Sequence, residues 1–241
     1  MNRRLYAIHR WISALAFVQF AIWSLSGAFF AIAPLARVRG QPLDHAHELP
    51  IPVGAPILGP RDALEHAAKS GLTAPSELLL RATPAGIFYV VRGDGRAIRL
   101  DAGTGAAAPV SGAEAEETAR RDQPGRPAVL VSSLIASDAH IEYRGKPLPA
   151  WRVALADGAG TIVYVNAITG EVTARRNDVW RVYDFLWSLH IMKYRSRDNT
   201  NHPLLIGAAL VALLTVGSGA ILWTIRFARW VGLRRAPRPV A

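Results

Sequence analysis

The sequence predicts a pair of membrane-spanning α-helices plus an extracytoplasmic α+β domain, which is built from two repeats of a helix and an antiparallel sheet. Three observations predict this fold class. Two long stretches near the chain ends carry no charged side chain, arginines flank both, and the loop between them repeats a strand–turn–strand pattern. A helix needs about 20 apolar residues to cross the ~30 Å hydrocarbon core of a bilayer, and both stretches are long enough. We therefore expect the chain to be embedded in lipid.

The net charge of +10 is concentrated at the two ends of the 241-residue chain. All 18 acidic residues lie between Asp44 and Asp198, where they nearly balance the basic ones. A nucleic-acid-binding protein needs a basic folded surface, so we expect no nucleic-acid partner. The chain has no cysteine, which excludes disulfides, thiolate-bound metals and covalently attached c-type haem.

The first predicted span covers residues 11–36 and the second covers residues 204–225. A cleaved signal peptide is the alternative for the first span, because Ala31-Ile32-Ala33 resembles a cleavage site. However, the apolar stretch exceeds the ~7–15 residues of a signal-peptide core. Pro34 would also follow the cut directly. An uncleaved membrane anchor is therefore favoured.

The arginines predict the orientation of the chain, because positively charged flanks stay in the cytoplasm. Residues 1–10 and the tail 226–241 are basic and contain no acid. Arg37 and Arg39 lie on the opposite side of the first span, but the N-terminal arginines outnumber them. We expect both termini to be cytoplasmic and the large loop to be periplasmic, in the inner membrane of a bacterium.

The loop, residues 37–178, is predicted to hold two repeats at about 56–110 and 122–176. A short amphipathic helix over 61–68 precedes predicted strands in the runs LLLRAT, IFYVVRG and RAIRLD, and later in WRVAL and TIVYV. The element D/N-A-x-T-G closes a hairpin at Asp101–Gly105 and again at Asn166–Gly170. Asp or Asn before Gly favours turns anywhere, but two matched elements in register favour duplication. Residues 111–127 are expected to form an exposed polar connector, and 179–203 an amphipathic helix with its connector.

One cluster in the loop has metal-ligand chemistry, namely Asp44, His45, His47 and Glu48. Two histidines at alternate positions of a strand would face the same side, as a metal site requires. In this proline-rich linker, a solvated polar turn is the favoured interpretation, so no metal site is predicted. The loop also lacks hydrolase and nucleotide-binding motifs, and no catalytic residue is identified.

Three histidines lie at or beside the spans: His9, His190 and His202. Ionisable groups near hydrocarbon are costly, which makes each a candidate for function. His9 is either an interfacial residue or an axial ligand of haem, and His202 before Pro203 is either a ligand or a helix-start residue. The two ends of a span are ~30 Å apart, so His9 and His202 cannot share one iron. His190 and His202 can share a site if residues 193–201 fold back; otherwise a second chain must supply a ligand.

Several short motifs together resemble those of PepSY-domain proteins with PepSY-associated transmembrane helices. They are His9-Arg10-Trp11, Leu25-Ser26-Gly27, Phe29-Phe30-Ala31, the N-A-x-T-G hairpin, Ser188-Leu189-His190 and Ile221-Leu222-Trp223. The resemblance covers about residues 4–226 and rests on the order and spacing of the motifs.

The resemblance implies a haem b cofactor held by His9 and His190, with a weaker match at His202, and electron transfer to ferric chelates such as siderophores. Larger members resemble two such units in tandem with four spans, whereas this chain has a single helix pair. A ferric-chelate reductase of this type would act only as an oligomer or with another membrane protein. The alternative is a non-catalytic PepSY subunit that binds or regulates a periplasmic or membrane complex.

Overall fold

The computed structural model describes residues 3–41, 49–137, 141–192 and 202–235. The chain divides into two compact units, which we call the helix unit (residues 1–33 and 183–241) and the α+β unit (Pro34–Val182). The elements in the described residues are α1 (Arg3–Ile32), α2 (Leu35–Val38), α3 (Pro60–Lys69), β1 (Pro75–Thr83), β2 (Gly86–Gly93), β3 (Arg96–Asp101), α4 (Gly112–Asp122), β4 (Val129–Ile135), a 3₁₀ turn (Ile141–Tyr143), β5 (Ala150–Leu155), β6 (Ile162–Asn166), β7 (Val172–Arg176), α5 (Asp178–His190) and α6 (Pro203–Arg235).

Helices α1 and α6 are long and apolar enough to span a bilayer. Their outward surfaces carry large apolar side chains, and Phe17 and Leu213 are 69% and 68% exposed. A continuous apolar surface of this kind is unfavourable in water and favourable in hydrocarbon. The predicted pair of apolar helices is confirmed.

The helix ends differ from the predicted span limits. α1 begins at Arg3 and α6 extends to Arg235, because a helix continues through a basic flank that lies outside the hydrocarbon. α1 ends at Ile32, before the predicted limit at Ala36, because Pro34 disfavours the helical conformation in the residue before it.

The first half of the α+β unit packs α3 on the antiparallel sheet β1-β2-β3, as predicted. Ala63 and Ala67 of α3 contact a buried cluster that includes Leu72, Val91 and Leu100. Asp94 and Gly95 join β2 to β3, and both have positive φ (52° and 71°). This two-residue reversal suits the right-handed twist of the strands.

The second half packs α4 on the four-stranded antiparallel sheet β4-β5-β6-β7. The prediction of an exposed connector over 111–127 is wrong, because α4 occupies its first part and buries Ala115 and Ala119. The Ser111 side chain accepts a hydrogen bond from the N–H of Glu114 and so caps this helix. The second repeat therefore begins with α4 and matches the order of the first: a helix, then antiparallel strands.

The repeated D/N-A-x-T-G element forms the same turn in both halves. Asp101 Oδ1 accepts hydrogen bonds from the N–H groups of Gly103 and Thr104, and Asn166 Oδ1 accepts them from Ile168 and Thr169. The hydrogen bond from the Thr104 N–H is the main cause that lowers the pKa of Asp101. The two halves share a structural unit as well as a sequence pattern.

A buried ion pair joins the two halves of the α+β unit. Arg99 on β3 donates two hydrogen bonds to Glu114 on α4, at 2.9 and 2.5 Å, and these side chains are only 1% and 6% exposed. Thr83 on β1 donates to the same carboxylate, and the Arg99 guanidinium lies 3.5 Å from the centre of the Phe88 ring. The two repeats thus pack as one unit around a shared charged contact.

We expect Glu114→Ala to destabilise the α+β unit by about 3–5 kcal/mol, because it leaves the Arg99 charge buried without its partner. The measurement is thermal unfolding of the full chain in detergent micelles, followed by tryptophan fluorescence. Glu65→Ala is the control, because it removes a carboxylate from an exposed pair with Arg61 and should have no measurable effect. Equal thermal unfolding midpoints for the two variants would contradict the role of Glu114 as the buried partner of Arg99.

Candidate functional site

The imidazole of His190, at the end of α5, is held in one orientation by α1. Its Nδ1 lies 2.7 Å from Ser26 Oγ, and the Ser26 hydroxyl donates to the Ile22 carbonyl at 2.6 Å. Because the serine proton is used in that bond, Nδ1 must carry its own proton and donate it to Ser26. This tautomer leaves a lone pair on Nε2, the form of histidine that ligates a metal.

Aromatic rings surround His190 within the helix unit. The Trp187 ring is nearly parallel to the imidazole at 6.2 Å between centres, and the Phe30 ring meets it edge-on at 5.5 Å. The Trp23 indole donates to the His190 carbonyl at 2.7 Å. These contacts fix both the backbone and the side chain of His190 in an apolar setting.

His9, near the other end of α1, forms a matching pair with α6. Its Nδ1 lies 2.8 Å from Ser218 Oγ, and the Ser218 hydroxyl donates to the Thr215 carbonyl at 3.1 Å. The protonated nitrogen is therefore again Nδ1. A Cβ at Gly219 would lie only 3.2 Å from His9 Cε1, so glycine there allows the ring to lie against α6. Both membrane histidines thus have a serine hydroxyl at Nδ1, whereas Nε2 of His9 also lies 3.5 Å from the hydroxyl of Ser13 on its own helix.

His202 lies next to His190 in space but differs in its bonding. Its Nε2 donates to the carbonyl of Ile191 at 2.8 Å, and its Nδ1 accepts the N–H of Leu205 at 3.4 Å. Both ring nitrogens are used by backbone groups, which fits the helix-start interpretation. As it stands, His202 offers no lone pair to a ligand; residues 193–201, which were expected to fold back, lie outside the described residues.

The two serine-bound histidines lie at different depths of the helix pair. Ser26, which holds His190, is 17 residues beyond His9 on α1, or about 25 Å at ~1.5 Å per residue. One iron cannot reach both imidazoles. Each level of one chain therefore presents a single imidazole, and the Nε2 of His9 faces the Ser13 hydroxyl at 3.5 Å.

The structure gives no support for a site that holds a bare metal ion in the described parts of the chain. No group of three or more His, Cys, Asp or Glu side chains converges there. Axial ligation of haem needs only one or two imidazoles, so the donor set fits haem better than an isolated ion. The cluster Asp44, His45, His47 and Glu48 lies outside the described residues.

Sequence reasoning did not assign roles to Ser26 and Ser218. Ser26 was noted only as part of a motif, and its partner His190 is 164 residues away. The available signal was the spacing of polar residues in an apolar helix, because hydroxyls there face a partner rather than lipid.

The fold and the site together define a membrane protein with two apolar helices and an α+β domain of two repeats. The family model of the PepSY-associated TM region matches residues 6–240. The chain belongs to this family, which confirms the resemblance that the sequence motifs indicated. Comparisons with curated proteins and with solved structures give no match.

We expect Ser26→Ala to weaken the helix unit by about 1–3 kcal/mol, because it leaves the Nδ1–H of His190 without an acceptor in an apolar site. The measurement is thermal loss of helical circular dichroism for the full chain in micelles. Ser24→Ala is the matched control, since Ser24 is exposed on the same helix. An equal loss in both variants would show that the Ser26–His190 bond adds nothing to helix packing.

Proposed function

We propose that this protein is an electron-transfer component of the bacterial inner membrane, in which His9 and His190 bind haem b and ferric chelates such as siderophores receive the electrons. The observation that carries the proposal is the pair of imidazoles in which a serine acceptor places the proton on Nδ1. When bound, haem supplies reversible one-electron chemistry between a membrane donor and the ferric chelate.

The residues of the chain have separate tasks in this proposal. Ser26 and Ser218 orient the imidazoles and keep Nε2 unprotonated. Trp23, Phe30 and Trp187 keep water away from His190 and fix its position. His202 supports the start of α6 and the end of α5 rather than binding haem.

A second chain completes the ligand sets. Since one chain presents one imidazole at each level, a two-fold dimer would bring two His190 rings together at one level and two His9 rings at the other. Another membrane protein with suitably placed histidines is the alternative partner. In either form the protein would act as a ferric-chelate reductase only as part of an assembly.

The reduced-minus-oxidised absorbance spectrum of the purified protein tests the haem proposal. A symmetric dimer with two haem levels should contain about one haem per chain. His9→Ala and His190→Ala should each retain roughly half of that haem, and the double variant should retain none. His202→Ala is the control and should leave the haem content unchanged.

Two results would contradict this proposal. The absence of b-type bands after expression with ample haem would exclude haem binding and favour the second candidate function below. An unaltered spectrum in His190→Ala would exclude that residue as a ligand.

The proposed orientation places both termini in the cytoplasm and the α+β unit in the periplasm. Because the chain contains no cysteine, single substitutions report sidedness without background. In cells with a permeabilised outer membrane, a membrane-impermeant maleimide should label Lys69→Cys. It should label Asn2→Cys only after the inner membrane is broken. The reverse pattern would contradict the orientation drawn from the arginines.

A second candidate function is a non-catalytic PepSY subunit that binds or regulates another protein. It is supported by two cavities in the α+β unit, of about 730 and 500 Å³, which share the residues Thr169, Glu171 and Thr173. This function requires neither haem nor a second imidazole. The haem spectrum therefore separates the two candidates.

A further inference from the structure

The strand β4 is one edge of the second sheet, and its side chains include neither a charge nor a proline. Charged side chains, prolines or a covering segment normally keep an edge strand from pairing with another chain. The residues of β4 are VLVSSLI, and no isolated bridge covers them in the described part of the chain. This edge is therefore open to a further strand.

The other three sheet edges are protected. β1 contains Glu77 and Arg81, and Leu49 forms a bridge to it. β3 contains charged residues at both ends, and Ala107 forms a bridge to Leu100. β7 ends in two consecutive arginines. A neutral, uncovered edge is therefore specific to β4 among the described strands.

The backbone hydrogen bonds of β5 show which peptide groups of β4 remain unpaired. The N–H of Leu155 donates to the carbonyl of Thr161 at 2.9 Å, on the β6 side. The N–H of Ala156 donates to the carbonyl of Ala128 at 2.8 Å, on the β4 side. Peptide groups of successive residues in an antiparallel strand point to opposite neighbours. Even-numbered residues of β5 therefore bond to β4, and odd-numbered residues bond to β6.

Two residues of β4 direct their peptide groups away from the sheet. Val131, Ser133 and Ile135 are paired with even-numbered residues of β5. The N–H and C=O groups of Ser132 and Leu134, which lie between them, must then point to the free side of the edge. Within the described residues, these groups have no hydrogen-bonding partner. The edge thus offers both donors and acceptors to an incoming strand.

The regular part of β4 is symmetric about Ser133. The register with β5 shifts between Val129 and Val131, which makes the strand irregular at Leu130. The remaining run, Val131–Ile135, has Ser133 at its centre, with one outward-facing residue on each side of it. A two-fold axis at Ser133 therefore brings the outward-facing groups of one copy opposite complementary groups of another.

A second copy of this chain fits the edge through its hydrogen bonds and its side chains. About this axis each Ser132 lies opposite a Leu134, and such a pair exchanges two hydrogen bonds, which gives about four for the whole contact. Each Val131 lies opposite an Ile135, so apolar side chains meet on one face of the sheet. Ser133 lies opposite its own copy with about 4.5 Å between the Cα atoms, where a small side chain fits. No like charges oppose each other.

The exposed apolar surface of β4 and the membrane anchor both favour this pairing. Val131 and Leu134 are 53% and 50% exposed in the single chain, and pairing removes part of this surface from water. The contact is smaller than the ~1,000 Å² that stable soluble complexes need. However, α1 and α6 confine both copies to one membrane, which raises their effective concentration.

We propose that β4 of the α+β unit pairs antiparallel with β4 of a second copy about a two-fold axis at Ser133, and so joins the two four-stranded sheets into one. This interface goes beyond the proposed function, because it requires neither haem nor a ligand in the cavities.

Disulfide cross-linking of the full chain in membranes tests the pairing and its register, since the sequence has no cysteine. Copper phenanthroline, a mild oxidant, should convert Ser133→Cys to a covalent dimer, because the paired Cα atoms lie within the range of roughly 4.4–6.8 Å that disulfides span. Val131→Cys is the matched control on the same strand face. Its two copies would be about 14 Å apart along the strands and should stay monomeric.

A mixture of two variants checks the register independently. Val131→Cys and Ile135→Cys, expressed together with different epitope tags, should form a cross-linked heterodimer, whereas neither should cross-link when it is expressed alone. Cross-linking is expected with and without added haem, so failure here is distinct from failure of the haem proposal.

A charge at the axis should weaken the pairing. Ser133→Lys, added to both members of the mixture, places two like charges opposite each other and should lower the heterodimer yield about tenfold. Ser133→Thr is the neutral control and should leave the yield unchanged. Ser133 is exposed, and its side chain makes no hydrogen bond in the parts of the chain that the structure describes, so neither substitution should disturb folding.

The interface would be ruled out if Ser133→Cys gave no more dimer than Val131→Cys, as expected where lipid or another protein covers β4. It would also be ruled out if the mixed variants gave no heterodimer. Equal heterodimer yields with Ser133→Lys and Ser133→Thr would overturn the placement of Ser133 at the axis.

Discussion

Hydrocarbon around α1 and α6 is the constraint on which the arrangement of the helix unit depends. The outward side chains of both helices are largely apolar, and the two membrane histidines find hydroxyl partners within the helix unit. His9 meets Ser218 on α6, and His190 meets Ser26 on α1. Each serine hydroxyl donates a hydrogen bond to a carbonyl of its own helix. The facing imidazole nitrogen must therefore be the donor in the serine–histidine bond, which determines the tautomer. The burial of each imidazole in the helix unit and its tautomer therefore have one structural cause.

The α+β unit is organised by a different contact. Arg99 and Glu114 come from different repeats, and each is buried with the other as its charged partner. Taking two charges out of water costs free energy, and their mutual attraction offsets only part of that cost. The pair therefore contributes little to the net stability of the fold. Its role is to specify how the repeats meet, because any other alignment would leave a buried charge unpaired.

The sequence was sufficient for features with a local cause. Uncharged runs predicted the spans, and the D/N-A-x-T-G element predicted matching turns. The helix α4 was missed because its buried residues are two alanines and two carboxylates, Ala115, Ala119, Glu114 and Asp122, which give almost no hydrophobic periodicity. The serine partners of the histidines were missed because they are 164 and 209 residues distant in the chain. Long-range pairing of this kind has no local pattern from which it could be derived.

The two imidazoles lie at different depths of the helix pair, and this restricts which partners can complete the assembly proposed above. A partner of different sequence would have to supply a histidine at each of two levels about 25 Å apart, with both rings facing this chain. A second copy meets both demands at once, because a two-fold axis along the membrane normal repeats each residue at its own depth. Under the haem proposal the single helix pair supplies half of each ligand set, and symmetry would supply the other half.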